Sequence, residues 1–327
     1  MYACIDLGSN SFHLLIAEWQ DEKSQIVERF SHIVQLGEGV TLTGEISPAA
    51  FTRGLQSLTE FSEVMSRYPI QQYWALGTNA LRLASNAPDF IEAAHDLGID
   101  ISVISGVQEA ILVYLGVLSN LPRSDDTRLV VDIGGGSTEI IIGQQERRFV
   151  TESLPIGCVS WRDKYFQGLS NASREALENA LDTATDAAEE VFQRVRESFE
   201  KYPWAAAYAS SGTAKMLAMI SQYRGYQEGT ITLLALEAMK EDVLICAADP
   251  EMLLPGLKDR RKDLLMPGWA VVVGLMRACN LQSIHFSPTA LREGMLDFMM
   301  HNGADTSILG KDTLPEIVQT EIAQTTL

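Results

Sequence analysis

The sequence predicts two α/β domains that arose by duplication, and three observations carry that prediction. One phrase is written twice, as "YACIDLGSNSFHLLIA" over Tyr2–Ala17 and "VVDIGGGSTEIII" over Val130–Ile142: apolar run, Asp-apolar-Gly, small polar residues, apolar run. In each copy a third apolar segment follows, and then helical periodicity and a further strand. Between the halves lies "LPRSDD", Leu121–Asp126, polar and Pro-containing as domain boundaries are. The expected division is residues 1–124, residues 125–305 and a tail over 306–327.

In the first half, β-segments are expected over Ala3–Asp6, Phe12–Trp19 and Gln25–Val34, with turn formers Gly8, Ser9 and Asn10 after the first. Ser47 reads as an N-cap with Pro48 behind it. Phe51, Leu55, Leu58, Phe61 and Met65 then recur at helical spacing. Tyr73–Gly77 is a strand, Asn79–Ala84 and Pro88–Leu97 are short helices, and Gly98 ends the second of them. Ile101–Ser105 is a strand and Val107–Leu118 a helix.

The second half restarts with β-segments at Leu129–Asp132, Thr138–Ile142 and Arg147–Glu152. Ser173–Phe199 reads as one long helix, because Leu177, Leu181, Ala184, Ala188, Val191, Val195 and Phe199 are three or four apart. Ala205–Ser210 is a strand. Thr232–Ala247, Leu264–Cys279 and Leu291–Met300 are helices, and little pattern follows Asn302.

With 327 residues, 46% of them hydrophobic, the chain can bury two cores. Its formal net charge of -18 repels nucleic acid and anionic membranes at long range. A local site can still bind a polyanion through metal ions, backbone amides and a few basic residues. Cys4, Cys158, Cys246 and Cys279 lack CxxC spacing, so neither a disulfide framework nor a zinc site is implied. The longest apolar stretch, Met266–Leu281, is too short for a span and holds Arg277. A reduced, cytoplasmic protein without a membrane span is expected. A homodimer is compatible with the sequence, which leaves the oligomeric state open. The five histidines, His13 among them, have no ligand spacing and receive no role.

The repeated phrase suits phosphate. Each copy delivers an Asp to a turn whose small residues let backbone N–H groups converge on an anion. Gly134, Gly135 and Gly136 let a phosphate approach closely. Ser9, Ser11, Ser137 and Thr138 can add hydroxyls, and Gly8 and Asn10 complete the first turn. Asp6 and Asp132, being anions, make sense as Mg²⁺ ligands or as groups that orient water.

This arrangement resembles the actin, sugar-kinase and heat-shock ATPase superfamily, whose members have two ribonuclease-H-like domains around a cleft. "ASSGTAKML", Ala209–Leu217, resembles its third element, which implicates Ser211, Gly212 and Thr213. The likeness sharpens over eight ordered blocks: "DLGSNSFHLLIA", "GTNALRLASNAPDF", "ISGVQEAILVYLGV", "VVDIGGGSTEIIIG", "LPIGCVSWRDKYF", "ASSGTAKML", "GLKDRRKDLLMPGWAVV" and "ALREGMLDFM". Together they resemble the exopolyphosphatase / guanosine pentaphosphate phosphohydrolase family, in a short form without its C-terminal helical domain.

The resemblance implies a role for each matching residue. Glu109 aligns with the family's catalytic Glu in "ISGVQEAIL", where Gln108 replaces another Glu and Ile111 an Arg. Glu139 matches a Glu that holds metal or the attacking water. Arg82 falls where the family keeps an Arg near the phosphates, and Arg261 in "KDRRK" aligns with a family Arg. The implied cofactor is Mg²⁺, with Mn²⁺ as a substitute, and the metal set is Asp6, Asp132 and Glu139.

The expected activity is Mg-dependent release of terminal orthophosphate from inorganic polyphosphate. The same chemistry on guanosine pentaphosphate is the alternative, and a non-hydrolytic phosphate sensor a distant third. A sensor would have lost carboxylates, and all four are present. A sugar kinase would carry an Asp base in its first domain rather than a Glu on a helix.

Overall fold

The computed structural model describes residues 1–20, 23–145, 147–169 and 171–302; the expected tail over 306–327 lies outside them. The chain opens with β1 (Tyr2–Leu7), β2 (Ser11–Gln20) and β3 (Lys23–Ile33), then a single turn α1 (Val40–Thr43). Helix α2 (Pro48–Met65) begins as read, with the Ser47 hydroxyl accepting from the Ala50 amide. There follow β4 (Gln72–Gly77), α3 (Asn79–Leu83), α4 (Ala87–Asp96), β5 (Ile101–Val103) and α5 (Gly106–Leu118).

The second half runs β6 (Arg128–Ile133), β7 (Thr138–Gln144), β8 (Arg147–Leu154), α6 (Cys158–Tyr165), α7 (Arg174–Gln193), α8 (Arg196–Lys201), β9 (Ala206–Ser210), α9 (Ser211–Tyr223), β10 (Thr230–Thr232), α10 (Leu233–Ala238) and α11 (Lys240–Ala248). It closes with a 3-10 turn (Asp259–Leu264), α12 (Leu265–Ala278), β11 (Ser283–Phe286) and α13 (Leu291–Asn302).

The duplication is written in the sheets. The first has the order β3-β2-β1-β4-β5 and the second β10-β11-β9-β6-β7-β8, so β6, β7, β8, β9 and β11 repeat β1 to β5 and β10 is an added edge. In both, the first three strands are antiparallel and the later crossovers parallel.

Alternation along each strand sends successive side chains to opposite faces. Ile5, Leu7, Phe12, Leu14 and Ile16 meet α2 and α4 on the outer side of the first sheet. Val131, Ile133, Ile140 and Ile142 meet α7 and α12 on the outer side of the second. Cys4, Leu15, Trp74 and Leu76 of one sheet and Val130 and Ile141 of the other share a third core with α5 and α13. The last helix therefore returns from the second lobe to lie beside α5 between the two sheets.

Several elements depart from the sequence reading. The single helix expected over Ser173–Phe199 breaks near Arg194. There the Arg194 and Val195 amides bond three residues back, to Val191 and Phe192, which keeps Phe192, Val195 and Phe199 all buried. The helix expected over Thr232–Ala247 divides at the fully buried Met239 into α10 and α11. Strands β10 and β11 and helices α1 and α6 are too short to announce themselves by periodicity.

Candidate active site

Two turns of identical construction form the floor. Gly8 N–H donates to the Ser11 carbonyl at 3.2 Å, and Gly134 N–H to that of Ser137 at 2.9 Å. The carbonyls at the turn apices are occupied from outside. Asn10 O accepts from Val34 and Gln35, Ser9 O from Gly37, and Gly135 O from Val159 and Ser160. The amides of Ser9, Asn10, Gly135 and Gly136 find no partner among the described residues. A backbone with satisfied carbonyls and idle N–H groups is an anion nest.

The nests face each other at close range. A Cβ on Gly135 would stand 3.0 Å from that of Ser9 and 3.2 Å from the Asn10 nitrogen. One on Gly136 would lie 2.0 Å from Asn79 Oδ1. Gly157 is required behind the second nest, since its Cβ would lie 2.5 Å from the Gly135–Gly136 peptide. The cleft is thus shut in this structure. Contacts on its rim join the lobes: Gly39 N–H to Asp163 Oδ2 at 2.8 Å, Arg162 to Glu38 at 3.7 Å, and Gln35 to Asp263 at 3.3 Å.

Not every hydroxyl expected to bind phosphate is free to do so. Thr138 Oγ1 donates to the Ile156 carbonyl at 2.6 Å and is fully buried, so it holds the hairpin. Ser11 Oγ accepts from Asn10 Nδ2 at 3.0 Å, which leaves its own O–H to give. Ser211 Oγ accepts from the Thr213 and Ala214 amides at the start of α9, with Ser211 itself at φ 97°. A non-glycine residue in that region carries backbone strain, as residues at functional turns often do. Gly212 is held beneath the Arg261 guanidinium, whose Nη2 would lie 1.9 Å from a Cβ there. Arg261 makes no ion pair among the described residues.

Glu109 sits in the first turn of α5. Ser105 and Gln108 form a reciprocal capping box at its start, Gln108 Oε1 accepting from the Ser105 amide at 2.8 Å. The Gln that replaces a family Glu thus serves the cap, a task either residue performs. Ile111, in place of the family Arg, is buried between the lobes. Glu109 Oε2 pairs with Arg82 Nη1 at 2.8 Å, and the same nitrogen donates to the Ile104 carbonyl at 2.9 Å. Arg82, read as a phosphate contact, therefore neutralises Glu109 first. Glu139 accepts from Ser153 Oγ at 2.8 Å.

The four carboxylates repel one another in a buried space. Burial, with Glu109 and Asp132 adding repulsion, pushes Asp6 up to about 7. Burial and Glu109 do the same to Asp132, also to about 7. Glu139 is raised well above the usual carboxylate range by burial and by Glu109 and Asp132. Burial raises Glu109 too, against the pull of Arg82. Arg292, at the start of α13, opposes the shifts of both aspartates.

Among the described residues no three His, Cys, Asp or Glu side chains converge closely enough to cage a metal. Asp6, Asp132 and Glu139 share the site without forming a cage. Arg292, Ser153 and Asn79 were not singled out from the sequence. Arg292 lies within the quoted "ALREGMLDFM" but only the return of α13 to the first sheet brings it to the aspartates.

A family model described as the Ppx/GppA phosphatase family matches residues 15–303. Among solved structures, an exopolyphosphatase from Cytophaga hutchinsonii is similar at 25% identity and a TM-score of 0.81, over 92% of this chain and 98% of that one. The PPX-GPPA enzyme of Aquifex aeolicus is similar at 26% identity and a TM-score of 0.70, over 90% of this chain and 98% of that one. No helix among the described residues is long and apolar enough to cross a membrane.

Proposed function

The chain belongs to the Ppx/GppA phosphatase family and is a phosphoanhydride hydrolase; from that premise we propose that it releases orthophosphate from the end of inorganic polyphosphate, with Mg²⁺ bound at the carboxylates. The observation that carries the reading is the pair of facing amide nests with Glu109 and Glu139 buried beside them. With the lobes parted enough to admit it, a terminal phosphoryl held between the nests meets N–H donors from both lobes. Water attacks the terminal phosphorus and gives its proton to Glu109. The bridging P–O bond breaks, and the shortened chain leaves with the charge on its new terminal oxygen. A general base of this kind contributes roughly 10²–10⁴ in rate, and positioning and charge neutralisation supply most of the rest.

Mutually repelling carboxylates that are not caged suit a cation that keeps its own waters. Mg²⁺ is usually held by one or two carboxylates plus substrate phosphates. Asp6, Asp132 and Glu139 are the residues that would hold it, and it would neutralise charge on the bridging and leaving oxygens. Arg82 stays within reach of both Glu109 and an incoming phosphate, because a guanidinium carries five donors.

Polyphosphate is favoured over guanosine pentaphosphate by the third turn. Gly212 is covered by a guanidinium rather than by an aromatic ring, and a cation there suits a further phosphate better than a purine. The test is phosphate release from long-chain polyphosphate and from guanosine pentaphosphate, at matched concentration with Mg²⁺. Preference for the nucleotide would reverse the substrate assignment. Release from neither would remove the reading.

A further inference from the structure

The first sheet ends at β5, which pairs with β4 and has no neighbour on its other side among the described residues. The Ile104 amide donates to the Gly77 carbonyl of β4. Alternate residues of a strand turn their N–H and C=O groups the same way. Ser102 therefore also faces β4, and the backbone groups of Ile101 and Val103 face outward. Val103 is 39% exposed, and Val107 at the start of α5 is 49% exposed. An edge of this kind is a ready template for another strand.

A groove of about 440 Å³ opens beside this edge. One face of α4 lines it, with Pro88, Ile91, Glu92 and His95 at helical spacing, and Asp100 and Ile101 form the wall that leads into β5. His95 Nδ1 lies 2.6 Å from Asp100 Oδ1 and joins the two walls. Val103, two positions beyond Ile101, projects to the same face of the sheet. Charge decides the occupant. Asp89, Glu92, Asp96 and Asp100 are exposed, and residues 83–122 contain no Lys or Arg. A second copy of this chain would set the same acids against one another across a two-fold axis, in a molecule whose net charge is already -18. A basic segment meets attraction in their place.

We propose that β5 and the groove beside α4 form a docking surface for an extended basic segment of a partner protein. The segment adds a strand to the first sheet by bonding to the outward groups of Ile101 and Val103. It sets an apolar side chain against Pro88, Ile91 and Ile101, and Lys or Arg two residues away against Glu92 and Asp100. Main-chain bonds supply the affinity in this mode and pockets for alternate side chains the specificity. The stems of the basic residues cover apolar surface while their charges reach the acids. The proposal stands independently of the catalytic reading.

The probe is the peptide acetyl-Thr-Lys-Thr-Val-Thr-Lys-Thr-amide, whose alternation puts Lys, Val and Lys on one face. Its fully N-methylated counterpart keeps the charge and side chains but has no backbone donors. Calorimetry and amide hydrogen exchange are measured on the full chain. The wild type should bind the first peptide with protection of the Ile101 and Val103 amides, and the N-methylated one about tenfold more weakly. Glu92→Lys combined with Asp100→Lys should weaken binding about tenfold or more and leave phosphate release unchanged. Equal affinity of the double variant and the wild type, or of the two peptides, would reduce the binding to long-range attraction and overturn the proposal. No binding would leave the acids as guards of an exposed edge and overturn it too. Protection of Val103 that grows with protein concentration, without peptide, would assign the edge to a second copy instead. Should the double variant fail to fold, unprotected Ile101 and Val103 amides in the peptide-saturated wild type overturn the proposal.

Discussion

Gly116 of α5 and Gly294 of α13 meet backbone to backbone at the centre of the molecule. A Cβ on Gly294 would lie 1.7 Å from the Leu112 carbonyl oxygen, and one on Gly116 1.8 Å from that of Ala290. The crossing helices belong to the core shared by both sheets, so each lobe depends on the other for its inner face. Gly294→Ala should lower stability by about 1–3 kcal/mol or more, because backbone cannot yield as a side-chain tip can. Chemical denaturation checks this, and an unchanged midpoint would show that the helices can slide apart.

Glu109→Gln keeps shape while removing the proton acceptor and the charge that Arg82 meets at 2.8 Å. Turnover should fall by roughly 10²-fold or more, and tripolyphosphate binding should persist or tighten as Arg82 is released toward phosphate. Single-turnover kinetics alongside calorimetry separate the two. An unchanged kcat with an intact melt would remove Glu109 from its role.

Stability should depend on pH in the sense opposite to that of salt-bridged acids. Asp6 and Asp132 titrate near 7 in the folded protein and near 3.9 in an unfolded chain. Between those values the folded state binds more protons, so stability falls as pH rises through this window. The metal-free melting temperature should be several degrees lower at pH 8 than at pH 5.5. Mg²⁺ should narrow the gap, and Asp132→Asn should flatten the slope. Melts that rise from pH 5.5 to 8 without metal would refute the electrostatic account.

The rim contacts should govern opening. Asp163 is almost fully buried, accepts from the Gly39 amide across the cleft, and is paired with Arg162 at 2.9 Å. Asp163→Ala should enlarge the radius of gyration in small-angle scattering, and polyphosphate with Mg²⁺ should shrink it again. Superimposable scattering curves for wild type and variant would show that the nests alone hold the lobes together.

The doubled architecture is legible in the chain, because an apolar run that delivers Asp-x-Gly to a turn is local information and occurs twice. The two nests are legible for the same reason, while Glu109 is singled out only by the resemblance of the block around it. Which charges share the site follows from how distant segments pack. Arg292 lies 286 positions beyond Asp6 in the chain and reaches it only because α13 returns between the sheets. That packing also decides which hydroxyls are occupied, as with Thr138 on Ile156, and that Arg82 holds Glu109. Short elements such as β11 and α6 were settled by what they pack against rather than by their own periodicity. The carboxylate shifts belong to the fold too. They arise from burial and mutual repulsion, which exist only once two lobes close around acids drawn from three separate segments, β1, α5 and the β6–β7 hairpin.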